Sequence, residues 1–173
     1  MKIVSTFVEG LYAFRYDGQW LDELERLFEE WSDIEYLETF FEQYENDLFY
    51  FKLDIDGAIS GTITESIKLR NFLFEISKGK SLTLDEVFKP LDNLEYRVIT
   101  LSKQKTSRRW LRLYAIKIDV NHYVITGGAI KMSQAMQDHP GTLAELSKLN
   151  KAKNFLVKND VFDNCSFFEL INE

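Results

Sequence analysis

Apolar residues recur at every third or fourth position through much of the first half of the chain and at every second position in the second half, so the pattern changes from helical to strand-like along the sequence. Residues 3–8 and 11–16 predict two short strands, with Asp17-Gly18 as a turn signal. From Trp20 to Trp31, the residues Trp20, Leu21, Leu24, Leu27, Phe28 and Trp31 fall at helical spacing with acids on the other face. A second helix is predicted from Ile34 to about Asp47, capped by Ser32 or Asp33, with Leu37, Phe40, Phe41 and Tyr44 as its apolar stripe. Residues 49–63 show no clear period and predict an irregular segment. Their alternating acids suggest a calcium loop, but Ala58 and Ile59 stand where an EF-hand needs an oxygen ligand and a glycine, which excludes it. Thr64 then caps a predicted helix from Glu65 to Ser77, with Ile67, Phe72, Phe74 and Ile76 among its apolar residues and Gly79 ending it. Asp85 to Phe88 reads as a short turn closed by Pro90.

Beyond Pro90 the runs Tyr96–Leu101, Trp110–Ile118 and His122–Thr126 are rich in β-branched and aromatic residues. With turns at 103–108 and 119–121 they predict an antiparallel meander. Gly127-Gly128 follows the last strand, and a short helical piece is expected around Met132–Gln137. After the break at His139-Pro140-Gly141, Thr142 caps a final helix to about Lys158, with Glu145 in the capping-box position. The expected fold is α+β in a single domain spanning 1–173. Its acidic, mostly helical part at 1–95 packs on a basic, strand-rich part at 96–158 that ends in a helix.

Composition bounds the classes available. A chain of 173 residues, 45% hydrophobic and 28% charged, can bury a core without covalent staples. A single cysteine, Cys165, excludes an intramolecular disulfide and zinc sites built on several thiolates, and nothing beside it activates the thiol. The N-terminal apolar run is too short for a signal peptide and no run approaches a membrane span, so a cytoplasmic protein without membrane contact is expected. The net charge of −7 conceals an asymmetry. Residues 1–96 carry 9 basic and 21 acidic side chains, whereas residues 97–158 carry 12 basic and 3 acidic ones. Either the basic half faces a polyanion or the two halves pair across the fold.

Strand alternation places Trp110, Arg112 and Tyr114 on one face, opposite Leu111, Leu113 and Ala115. Arg97 lies on a neighbouring strand and Lys131 just beyond the last one. A face offering Arg97, Arg112, Tyr114 and Lys131 suits phosphate contacts and base stacking; the plainer reading is a solvated sheet face. His122 and His139 fall at turns with few acids near them, and Gly127-Gly128 lacks any phosphate-loop spacing. No metal site and no cofactor is expected.

The stretch Tyr123-Val-Ile-Thr-Gly-Gly-Ala-Ile-Lys-Met-Ser-Gln-Ala-Met-Gln-Asp-His-Pro140, preceded by Tyr96-Arg97 and Leu111-Arg112, resembles the RelE/HigB-like toxin superfamily, including its phage-derived host-killing branch. That branch shows an apolar strand, then Gly-aromatic-x-Lys-Lys-Thr-x-x-x-Pro, then a helix bearing a Glu and an Ala. Here Lys131 falls on the first lysine, and Glu145 and Ala152 fall in the helix. Met132 replaces the second lysine, Ala129 replaces the aromatic, and the acidic helices around 20–80 are an addition. The likeness covers roughly 96–157. It implies a metal-independent endoribonuclease acting on mRNA, often on the ribosome. Arg97, Arg112 and Lys131 would hold phosphate, and Tyr114 or His122 would transfer protons. The implied partner is an antitoxin with a helix-turn-helix domain. The two replacements favour a second reading, a non-catalytic binding protein on the same scaffold whose acidic helices engage a partner or mask the basic sheet.

Overall fold

Strands β1 (Lys2–Ser5) and β2 (Leu11–Arg15) pair antiparallel around Gly10, whose φ of +77° closes the turn. Then come α1 (Glu23–Glu30), α2 (Ile34–Gln43), α3 (Glu45–Phe51), α4 (Ile55–Ser77) and the short α5 (Leu84–Val87). Strands β3 (Phe88–Pro90), β4 (Tyr96–Ile99), β5 (Leu111–Asp119) and β6 (His122–Ile130) follow, and α6 (Pro140–Lys158) and α7 (Asn164–Asn172) complete the chain. The structure, a computed structural model, describes residues 1–79, 82–90, 96–99, 110–132 and 140–172. The short helix expected around 132–137 and the turn at 103–108 lie outside them, apart from Met132.

The strands form one mixed sheet in the order β1-β2-β6-β5-β4-β3. The expected meander is present as β4-β5-β6, antiparallel throughout, and β2 joins it by a parallel pairing with β6. Helices cover both faces. On one, Leu24, Leu27, Trp31, Leu37, Phe41, Leu69 and Leu73 of α1, α2 and α4 pack on Leu11, Ala13, Leu113 and Ile125. On the other, Leu149, Ala152 and Leu156 of α6 and Phe167 of α7 pack on Tyr12, Phe14, Tyr114, Ile116 and Val124. The α+β class is therefore as expected. Among the described residues, no helix is long and apolar enough to cross a membrane.

Local signals explain most element ends. Asp22, Asp33 and Asp54 each accept backbone N–H groups at the first turns of α1, α2 and α4, which satisfies donors a helix start leaves open. Three expectations are corrected. The segment 49–63 is not irregular: α3 ends at Phe51, and α4 starts at Ile55, nine residues before Thr64. The apolar stripe of α1 excludes Trp20, which stands 95% exposed ahead of the helix. Gly127 and Gly128 do not terminate the last strand but lie inside β6, which runs on to Ile130.

Charges join the two halves at two described places. Among the described residues, ion pairs linking residues 1–96 to 97–158 are Lys148 with Glu23 and Lys117 with Asp85 at 2.6 Å. Asp85 also exchanges hydrogen bonds with Asn121 and accepts from the Tyr123 hydroxyl, which fixes α5 to the β5–β6 hairpin. Acids such as Glu25, Glu29, Glu38 and Glu42 face solvent.

Candidate functional site

Arg112, Tyr114 and Lys131 are gathered along one end of the β5–β6 pair. The Lys131 N–H donates to the Trp110 carbonyl at 2.7 Å, Arg112 pairs with Ala129, and Tyr114 pairs with Gly127. The start of β5 is pinned from α4. Buried Glu65 accepts the Trp110 and Leu111 N–H groups at 3.3 and 3.1 Å, and the Thr62 hydroxyl accepts the Trp110 indole N–H at 3.0 Å. The indole consequently packs against Phe41 and Phe51, on the side away from Tyr114. Trp110 precedes the pleated part of the strand, so alternation does not bind it, and its expected place beside Arg112 is corrected.

The remaining residues singled out from the sequence are dispersed. Register sets Arg97 opposite Ala115 and Val98 opposite Tyr114, so Arg97 is out of phase with Tyr114; its side chain lies outside the described residues, as does His139. His122 begins β6, at the strand's other end from Lys131, with Nδ1 2.8 Å from the Val120 carbonyl and the ring against Phe168. Among the described residues, no three His, Cys, Asp or Glu side chains converge to hold a metal ion.

The face holding Tyr114 is roofed rather than open. Tyr114 is 1% exposed beneath α6, its hydroxyl has no hydrogen-bond partner among the described residues, and burial pushes its pKa up to about 12. Arg112 is half-buried, and the loss of hydration pulls its pKa below the usual guanidinium value. Beside them lies a charged cluster. β2 stops at Arg15, leaving the flank of β6 beyond Ile125 to α1 and α6. There the Tyr16 hydroxyl donates to the Thr126 carbonyl at 2.8 Å. Glu23 of α1, fully buried, accepts two bonds from Arg26 at 2.9 and 2.8 Å. Lys148 of α6 bridges Glu23 and Glu145, at 3.1 and 2.9 Å. Arg26 also pairs with Glu30.

No family model, curated protein or solved structure matches the chain. The site must therefore be read from its own chemistry.

Glu145 is 6% exposed, and its Oε2 has no hydrogen-bond partner among the described residues. That oxygen sits over Gly127 so closely that a Cβ there would lie 1.8 Å from it. Burial raises the Glu145 pKa and Glu23 adds to the rise, against the lowering by Lys148 and Arg26. A raised folded-state pKa contributes stability that is complete below the unfolded value near 4.5 and is lost as pH rises through the folded one. Glu145→Gln, which keeps an oxygen for Lys148 and cannot ionise, is expected to gain stability on the parent as pH rises from 4 to 8. Urea midpoints across that range read the trend, and a flat difference would refute the assignment. The signal for this cluster is present as the i,i+3 pairs Glu23/Arg26 and Glu145/Lys148, but acids in a first turn are equally well read as capping.

Proposed function

We propose that this chain is a toxin-like protein that cleaves RNA without a metal ion, using Arg112 and Lys131 to hold the reacting phosphate. The observation that carries the reading is the bond from Lys131 to Trp110 and the pairing of Arg112 with Ala129, which set one cation on β5 and another just past the end of β6, at one end of the sheet. The order of strand, helices, antiparallel meander and C-terminal helix supports it as well. In such a reaction a base removes the ribose 2′-OH proton, the oxygen attacks the adjacent phosphorus, and an acid protonates the departing 5′ oxygen. Two fixed cations stabilise the charge that builds on the phosphate, commonly the largest catalytic contribution. Tyr114 reaches such a substrate only if α6 lifts from the sheet, because its hydroxyl is covered. The proposed partner is an antitoxin carrying a helix-turn-helix domain, and mRNA is the proposed substrate.

Burial of Tyr114 beneath α6 favours a second reading, in which the same scaffold binds a partner without catalysis. Tight inducible expression in a bacterial host separates the two, with total RNA followed by primer extension. The nuclease reading expects growth arrest with discrete new 5′ ends in coding regions, both lost in Arg112→Ala and Lys131→Ala. Unaltered growth with intact messages supports the binding reading. If either variant keeps its melting temperature and arrests growth as fully as the parent, the assigned residues are wrong.

A further inference from the structure

Among the described residues, the largest apolar side chain the fold leaves in water is Trp20, 95% exposed. It follows the Asp17-Gly18 turn, where Gly18 adopts a φ of +81° that directs the chain outward before α1 begins. Trp20 lines a cleft of about 330 Å³ with Lys2, Arg15, Tyr16 and Gln19. Lys2 and Arg15 stand directly opposite each other across the β1–β2 ladder, an arrangement that repels. Neither is in an ion pair among the described residues, so nothing there offsets the repulsion. The carboxylate lining the cleft, Asp17, is engaged by the Met1 ammonium, whose hydrogen bond holds its pKa below the usual range. Around the rim the Lys151 ammonium lies 5.8 Å from the centre of the Tyr16 ring.

We infer that the Trp20 cleft binds a single-stranded RNA segment, with a base stacked on the indole and the flanking phosphates held by Lys2 and Arg15. An exposed indole beside unpaired cations matches what single strands offer, since every base has a stacking face and every phosphate a charge. A general anion site needs no indole, and an apolar docking patch needs no repelling cations. The inference rests on the proposed RNA-directed function for its choice of RNA, but it concerns other residues. Tyr16 links the two places, because its hydroxyl binds Thr126 on the strand that ends next to Lys131.

The other two tryptophans, Trp31 and Trp110, are buried, so quenching of the intrinsic emission by a ligand in solution reports on Trp20. The full chain is titrated with a dodecamer of oligouridylate, and binding of a fluorescein-labelled copy is followed in parallel by anisotropy. Saturable quenching is expected. Trp20→Ala and the double variant Lys2→Glu/Arg15→Glu are each expected to bind about tenfold more weakly. The double variant is also expected to show a salt dependence shallower by about 1.4 in log K against log salt. Trp20 and Lys2 are exposed and Arg15 is half-buried, and emission from Trp31 and Trp110 confirms folding. Absence of quenching, or displacement of the oligonucleotide by polyglutamate with Trp20 emission unchanged throughout, overturns the inference. Growth arrest that depends on Arg112, in a chain whose Trp20 is never quenched, sinks this inference alone. Quenching in a chain that neither arrests growth nor cleaves RNA sinks the cleavage reading alone.

Discussion

Gly128→Ala is expected to cost about 3 kcal/mol of folding stability, at the upper end of what overpacking usually costs. A Cβ at this position would lie 2.6 Å from the Arg112 carbonyl oxygen, 2.7 Å from Leu27 Cδ1 and 3.1 Å from Trp31 Cη2. The carbonyl belongs to β5 and cannot turn aside without breaking the pairing of Arg112 with Ala129. Trp31 is fully enclosed, so α1 would have to lift off the sheet as a unit. Gly61 provides the control. It lies within α4 with nothing inside 4 Å of the place a methyl group would take, and its replacement by alanine is expected to stabilise by about 0.5–1 kcal/mol. Urea unfolding at pH 7 compares the two, and an unchanged denaturant slope assigns the shift to stability rather than to a compact unfolded state. Equal midpoints for Gly128→Ala and the parent would mean that α1 does not approach β6 as closely as described.

The same glycine pair shows where a sequence pattern stops being informative. Glycine weakens a strand by its entropy, so Gly127-Gly128 reads as an end; here two helices need the missing side chains, α1 over Gly128 and the Glu145 carboxylate over Gly127. Alternation puts Arg112 and Tyr114 on one face, which is how Tyr114 lies beneath α6, where burial raises its pKa and nearby Arg112 offsets part of the rise. A period of two cannot distinguish a face in water from a face under a helix. The distinction needs the apolar residues of α6 and α7, and in the 159–173 segment the acids draw the eye away from Phe167, which is fully buried. The start of α4 is hidden for a different reason. Gly57 and Gly61 dilute its first turns, and of the residues it buries there, Ala58, Ile59 and Thr62, two are small or polar. The helix is held by the Asp54 cap and by what it packs against, not by its own stripe. Where both signals agree, as in α2 with its Asp33 cap and buried Leu37 and Phe41, the element is legible at once.

Glu23→Ala is expected to destabilise by about 2–3 kcal/mol, below the roughly 3–5 typical of breaking a buried pair. The carboxylate is fully buried and receives both Arg26 and Lys148, so its removal leaves two cations short of a partner next to the sheet. Three features keep the loss under the usual range. Arg26 retains Glu30 and Lys148 retains Glu145, both cations are partly in contact with water, and the like charge that Glu23 sets against Glu145 disappears. Glu23→Gln keeps the shape and both acceptor directions in part, and should fall between the parent and the alanine variant. Because the carboxylate is out of solvent, the penalty should change little between about 0.05 and 0.5 M salt, unlike that of an exposed pair such as Lys78 with Glu75. Urea midpoints at the two salt concentrations measure this directly. A penalty that vanishes at high salt would place Glu23 at the surface and dissolve the clamp that holds α1 to α6 beside Gly127. A penalty that persists would keep Glu23 out of solvent as the clamp between α1 and α6, and Arg112-dependent growth arrest could then be compared with and without it.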